Sequence, residues 1–303
     1  QNDNWSFESI SSESDTQECD LTIDLSGNSH VAFTAYDYEA TTSGSIARDI
    51  FYSEKTRSGW SVEKVDDGEI YSPKIVVDSE ENVSILYYDN YAKEIRYGKK
   101  VEGSWDISPV TSNDYYYGLS HAVDSVGIPH IAFVKRYQPL HDAGNSSYSG
   151  ELIHGIQQNG QWIFEKIDDI ESVYGSRQIS LTLDSSDNPH ITYGTGSMKL
   201  MPNAFEEEDD KIDLKYAWFD GDSWNKGILA KGYLDGFAMY SSLELDDEDL
   251  PHVAYFNGSG VDYLTLVLDD EDLRGGGNCN IGFVSPSVGL LLLPVMFFLR
   301  PKK

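Results

Sequence analysis

"LTLDSSDNPHITYG" (residues 181–194) places an Asp six residues before a His, and the arrangement recurs along the chain. It returns as "LTIDLSGNSHVAFT" (21–34), "HAVDSVGIPHIAFV" (121–134) and "LELDDEDLPHVAYF" (243–256). A fifth copy, "IVVDSEENVSILYY" (75–88), has Ser84 where the others have His. Aligned on Asp24, Asp78, Asp124, Asp184 and Asp246, the copies are 54, 46, 60 and 62 residues apart. Short alternating apolar stretches repeated at such periods are the signature of propeller blades or a related array.

Each unit reads as four strands. The first ends at the Asp, and the second begins at the His position after a short turn. The third opens with an acid, as in "DIFYSE" (49–54), "EIRYGK" (94–99), "ELIHGI" (151–156) and "DLKYAW" (213–218). The fourth carries Trp60, Trp105, Trp162 or Trp224 after a Gly-containing turn, and Trp218 alone stands outside this series. The chain starts with an unaccompanied Trp strand, "NWSFESI" (4–10), while the last unit has second and third strands but no Trp strand. The expected fold is therefore all-β: one five-bladed propeller over residues 1–270, closed by its N-terminal strand, which protects the terminal sheet edges.

Histidines repeated by fivefold symmetry are spread around a ring. A metal needs several ligands within about 2–2.5 Å of one ion, and a general base needs an asymmetric site, so neither role suits them. His30, His130, His190 and His252 read instead as turn locks beside their aspartates, with Gly27, Gly127, Asp187 and Asp249 at the left-handed position of the turn. The acids opening each third strand (Asp49, Glu94, Glu151, Asp213 and Asp262) read as structural too, although a ring of acids at the mouth could hold a cation such as Ca2+. No other cofactor is expected. The run 206–210, "EEEDD", lacks the alternating ligands and Gly of an EF-hand loop.

Function is sought in what is not repeated. The loops expected between second and third strands (36–48, 135–150 and 194–212 among them) vary widely. Tyr71, Tyr115, Tyr116, Tyr117, Tyr174 and Tyr240 gather near the same face. Each either stacks on a ligand or fills a gap between blades. Asp20, Asp114 and Glu244 are the unmatched acids that a glycosidase reading would draw on as central carboxylates. Sialidase "SxDxGxxW" boxes, an arginine cluster and a "GxSxG" nucleophile are all missing.

Over residues 4–268 the repeat, as in "LKYAWFDGDSW" (214–224) followed by "LELDDEDLPHVAYF", resembles bacterial and archaeal extracellular propeller repeats, loosely grouped with sialidase-like propellers. The resemblance implies fold and an extracellular setting. It leaves activity open, since propellers host lectins, hydrolases and scaffolds. The reading it favours is a binding or interaction module for carbohydrate or another surface protein, with a five-bladed glycoside hydrolase as the alternative.

A formal charge of −29 over 303 residues repels nucleic acid and anionic lipid. The tail differs. Residues 271–280 form a Gly-rich hinge with Gly275, Gly276, Gly277 and Cys279. Residues 281–299 are a mostly apolar run long enough to cross a bilayer, followed by Arg300, Lys302 and Lys303. This 271–303 segment resembles GlyGly- and Synergistetes-type C-terminal sorting signals. It implies recognition by a rhomboid-like sorting protease and display at the cell surface, or else retention as a membrane anchor. The start at Gln1 is expected to reflect a removed secretion signal. Cys279 is assigned to the sorting or anchoring signal and Cys19 to a buried free thiol. In denaturant without reductant both thiols should then react with a maleimide, whereas a Cys19–Cys279 bridge would leave neither reactive.

Overall fold

The computed structural model describes residues 6–11, 15–42, 45–112, 114–137, 149–171, 179–197, 211–232, 239–257 and 260–266. They form five antiparallel sheets whose strands follow chain order. Blade one holds β1 (Thr16–Ile23), β2 (Ser29–Thr42), β3 (Ser45–Thr56) and β4 (Gly59–Asp66). Blade two holds β5 (Ile70–Val77), β6 (Val83–Asp89), β7 (Glu94–Val101) and β8 (Ser104–Pro109). Blade three holds β9 (Tyr115–Val123), β10 (Pro129–Arg136), β11 (Gly150–Gln158) and β12 (Gln161–Ile170). Blade four holds β13 (Ser180–Leu183), β14 (Pro189–Ser197), β15 (Lys211–Phe219) and β16 (Trp224–Ala230). Blade five holds β17 (Met239–Leu245), β18 (Pro251–Phe256) and β19 (Val261–Thr265). The described residues contain no helix, and the tail expected to span or sort at a membrane lies outside them. The first expected loop is shorter than 36–48, because β2 and β3 extend as a hairpin to Thr42 and Ser45.

The core lies between blades. Ala32, Ile50 and Tyr52 of blade one meet Ile75, Ile85 and Tyr87 of blade two. Leu86, Tyr97 and Val110 meet Tyr116, Leu119 and Phe133. Ala132, Leu152 and Ile167 meet Leu181, Ile191 and Tyr193. Leu214 and Tyr216 meet Leu243, Val253 and Tyr255. Strict alternation along each strand sends side chains to both blade faces, and this gives the sequence its near-continuous apolar second strands.

The repeated Asp closes each inner hairpin. Its Oδ1 accepts the backbone N–H four residues on, from Asn28, Asn82, Ile128, Asn188 and Leu250, at 2.7–2.9 Å. The Asn28 side chain, against the upward pull of burial, helps hold Asp24 down at about 2. The third turn residue is left-handed in every blade: Gly27, Glu81, Gly127, Asp187 and Asp249. The His joins this turn to the third strand. His30 Nε2 lies 3.2 Å from Asp24 and its Nδ1 2.7 Å from Tyr52 Oη. His190 and His252 reach Tyr216 and Tyr263 in the same way. Their distances to the Asp are 3.6 and 3.1 Å, and that of His130 is 3.8 Å. Among the described residues no group of three or more His, Cys, Asp or Glu is arranged to hold a metal.

Closure is made on one side only among the described residues. Blade five shows three strands, and residues 6–11 are not hydrogen-bonded to β19; Trp5 lies outside the described residues. Yet Glu8 accepts from Trp60 Nε1 at 3.2 Å and pairs with Lys55, while Ile10 packs on Val31, Phe33 and Ala35. Glu63 does the same one blade later, accepting from Trp105 Nε1 at 2.9 Å and pairing with Lys100 at 2.8 Å. Glu8 follows Trp5 by three residues, as Glu63 follows Trp60. The N-terminal segment thus sits against blade one as a preceding blade's fourth strand would.

Blade three departs from the pattern. His154 takes the tyrosine position, 3.1 Å from His130. His121 takes a position filled by Leu21, Ile75, Leu181 and Leu243 elsewhere, and neither of its ring nitrogens has a protein partner. Burial, with a smaller contribution from His130, pushes both His121 and His154 down to about 3. The folded state therefore holds them neutral, while the unfolded chain takes up their protons below the ordinary value of 6.5. Their contribution to stability is full above about pH 6.5 and is lost progressively towards pH 3. At pH 4.5 each should cost roughly 2–3 kcal/mol relative to neutrality. Urea midpoints should fall between pH 7 and 4.5, and His121→Leu should flatten that slope.

Candidate functional site

The five inner strands surround a central cavity of about 910 Å³. Aromatic residues enter it because four of the five inner strands, all but β13, carry a β-bulge near their start. The register slips between Thr16 and Cys19, between Tyr71 and Lys74, opposite Phe133/Val134, and between Met239 and Ser242. In three of these bulges the residue six before the repeated Asp is left-handed: Ser72 (φ 55°), Gly118 (φ 52°) and Tyr240 (φ 57°). Bulges re-aim side chains next to binding sites, and glycine adopts this backbone without strain. A bulky Tyr there is costly. Tyr240 is 49% exposed and lines the cavity.

Of the expected tyrosines, Tyr71, Tyr115, Tyr116, Tyr117 and Tyr240 line the cavity, and Tyr174 lies outside the described residues. They divide by environment. Tyr116 is buried edge-on against Tyr88 and Phe133, so it fills the gap between blades two and three. Tyr71 carries the Arg48 guanidinium 4.1 Å above its ring, with Tyr36 on the same cation at 5.1 Å. Tyr115 is approached by Arg136 at 5.1 Å and Lys93 at 5.0 Å, and Tyr117 Oη accepts from Arg136 at 3.1 Å. These cations fix the rings at the mouth and leave part of each ring towards the cavity.

The three candidate acids do not converge. Asp20 lines the cavity, but its Oδ2 accepts the Ile75 N–H of the next blade at 2.9 Å and so is structural. Asp114 is not a lining residue; it pairs with Lys135 at 3.1 Å. Glu244 lines the cavity and is exposed, and its carboxylate has no hydrogen bond or ion pair among the described residues. Glu18, which the sequence reading passed over, also lines it. Its carboxylate accepts the Ser72 N–H and lies 3.5 Å from Arg48. Its signal was available: Glu18 sits six residues before the repeated Asp, in register with Ser72 and Tyr240. Cys19, expected to be buried, is instead an exposed free thiol on the cavity wall, because no blade covers that face of β1.

The acids that open third strands are occupied locally. Asp49 pairs with Lys64 and accepts the Gly68 N–H, Glu94 pairs with Arg96, and Glu151 pairs with Lys166. Asp213 accepts the Gly232 N–H and Asp262 the Tyr255 hydroxyl. No cation ring is left among them. The run 206–210 lies outside the described residues.

No protein-family model matches the chain, and no curated protein matches it in sequence. Solved structures do share its fold. A protein of unknown function from Dyadobacter fermentans DSM 18053 is 11% identical over 84% of this chain and 77% of its own, with a TM-score of 0.54. The Penicillium chrysogenum α-L-arabinanase complexed with arabinobiose is 10% identical over 82% and 77%, also with a TM-score of 0.54. At such identities the similarity is one of fold, and it agrees with the propeller architecture read from the repeats.

Strain at Tyr240 predicts a trade between stability and use of the cavity. Tyr240→Gly should raise stability by about 1 kcal/mol, seen as a higher thermal midpoint, because glycine accepts the left-handed backbone.

Proposed function

We propose that the chain is a cell-surface propeller that binds a carbohydrate chain in its central cavity rather than cleaving it. The observation that carries this reading is Tyr240, a half-exposed aromatic ring aimed into the cavity from a strained backbone, with Tyr71, Tyr115 and Tyr117 lining the same space. Tyr offers a flat apolar face for a sugar ring and a hydroxyl for its edges. The acidic lining and the −29 charge favour a neutral or basic glycan over an acidic one. That a shared fold accommodates arabinobiose in the fungal arabinanase supports a ligand of this class. Display at the surface rests on the tail sequence: the Gly hinge, Cys279, the apolar run and the basic end.

Hydrolysis is the second reading, and the presence of both Glu18 and Glu244 on the cavity wall favours it. Against it, Glu18 is held by Arg48 and Ser72, which leaves Glu244 as the one lining carboxylate without a partner among the described residues. Glycosidases of the usual kind need a pair.

Calorimetry with neutral oligosaccharides selected on a glycan array should show binding without release of reducing sugar. Tyr240→Ala should weaken it about tenfold. Asp187→Ala, in a turn on the opposite face, should leave affinity unchanged. Turnover of an arabino- or xylo-oligosaccharide that Glu244→Gln abolishes would replace binding with hydrolysis.

A further inference from the structure

Three hydrogen bonds recur between successive blades, the axial and peripheral ones at fixed offsets from the repeated Asp and Trp and the turn one from a Ser one or two residues past the Asp. Near the axis, a side chain four residues before the Asp accepts the N–H three residues before the Asp of the next blade. Asp20 takes Ile75 N–H, Ser120 takes Leu181 N–H and Ser180 takes Leu243 N–H, at 2.9–3.1 Å. At the turns, a Ser of one blade donates to the left-handed acid of the next. Ser26 gives to Glu81, Ser125 to Asp187 and Ser185 to Asp249, at 2.6–2.8 Å. At the periphery, each Trp donates to a Glu three residues past the preceding Trp: Trp60 to Glu8, Trp105 to Glu63 and Trp224 to Glu165.

The junction between blades two and three has none of the three. Lys74 stands at the axial position and cannot accept. Gly127 stands at the turn position and has no side chain. Ser108 stands where Glu63 and Glu165 stand elsewhere, and Trp162 Nε1 is left buried without a protein partner. At the mouth the Asp114 N–H donates to the Lys93 carbonyl at 3.2 Å and Lys93 lies over the Tyr115 ring, and what remains along the strands is apolar and edge-on aromatic contact, including Tyr97 against His121 and Trp162. Such contact holds surfaces together without fixing their angle, since hydrophobic attraction is non-directional.

The opposite junction, between blades five and one, is open among the described residues. Leu21 is 59% exposed, whereas its counterparts Ile75, Leu181 and Leu243 are 4%, 6% and 2% exposed. Ile23 on β1 and Val261 and Tyr263 on β19 are exposed as well. Ser242 has the hydroxyl to accept Leu21 N–H but is not so bonded, and Gly27 removes the turn acceptor. Of the three recurrent bonds, the Glu8–Trp60 contact alone is made there among the described residues.

We propose that the ring consists of two rigid arcs, blades one and two against blades three to five, which flex about the apolar junction between blades two and three and part at the seam between blades five and one. Within the arcs the axial and turn bonds are present at every junction, and the peripheral bond joins blades one and two and blades three and four; between blades four and five Gly227 stands at the peripheral acceptor position and offers no side chain. Val110, Thr111 and Asp114 lie where the arcs meet at the mouth. The cavity wall is thereby divided, with Glu18, Tyr71 and Lys74 on one arc and Tyr115, Tyr117 and Glu244 on the other. Motion of this shear or hinge kind needs packed surfaces that slide without breaking a bond network. That a glycan would bridge and close the arcs rests on the binding reading; the arcs themselves do not.

The test therefore uses no ligand. In the full chain carrying Cys19→Ser and Cys279→Ser, spin labels at S58C and V261C report on the seam, and labels at S58C and E102C report within the first arc. Double electron–electron resonance should give a broad distance distribution across the seam and a narrow one within the arc. Supplying the missing acceptors with S108E and G127D, opposite Trp162 and Ser79, should at least halve the width across the seam and leave the arc pair unchanged. If G127D does not fold, S108E alone should give a smaller narrowing of the same sign. A seam distribution as narrow as the arc pair's, or a broad one that S108E leaves untouched, would overturn the proposal.

Discussion

An aspartate that accepts the amide four residues further on fixes the inner hairpin of every blade, and the rest of the ring is referred to that point. The contact forces the third turn residue into a left-handed backbone, which admits Gly, Asp or Glu at that place. It sets the His beside the carboxylate and so fixes which tyrosine of the third strand the His can reach. It also sets the register of the first two strands. A slip of one residue would turn Ile75, Leu181 and Leu243 away from the neighbouring blade. Blade two keeps this contact through Asp78 while having Ser84 in place of His, so the carboxylate is the necessary member of the pair.

Much of this was legible before any coordinates, because repetition converts weak local signals into a strong one. The Asp-to-His spacing, the Trp strands and the unpaired Trp strand at the start determine five blades and the place of the N-terminal segment, whose Glu8 meets Trp60 as Glu63 meets Trp105. The site was less legible for the same reason. Asp20 looks unmatched because Lys74, Ser120, Ser180 and Ser242 share its position without sharing its charge, yet three of the five do its work of accepting a neighbour's amide. Glu18 went unnoticed because its significance comes from a bulge, and a bulge shows only when two strands are paired. Tyr240 was picked for its type, whereas its left-handed backbone could not be read from type at all. The exposure of Cys19 likewise depends on a neighbour that is not packed against it.

The cavity combines two demands that pull against each other. A chain of this charge gains solubility from acids at its surface, and acids crowded around an axis repel one another. The structure meets this by assigning nearly every acid near the axis a cation or an amide: Asp20 an amide, Glu18 an amide and Arg48, Asp114 a lysine. Asp168 shows the same balance at the blade edge. Burial would raise it, but Lys226, Lys215 and Tyr193 outweigh that and hold it down at about 2. Glu244 stands apart because it has no such assignment.

The glycines at the third turn position carry a consequence for how this chain can change over time. Blades one and three have Gly27 and Gly127 there, and these are the two blades that receive no turn bond from their predecessor. Within an arc, an acceptor and its donor sit on different blades some sixty residues apart, so a substitution in one is compensated only by a substitution in the other. Across the junction between blades two and three no such pairing exists, and apolar side chains can be exchanged for others of similar volume at little cost. A substitution in one arc therefore places no turn-bond constraint on the other, and a glycine stands at the head of each.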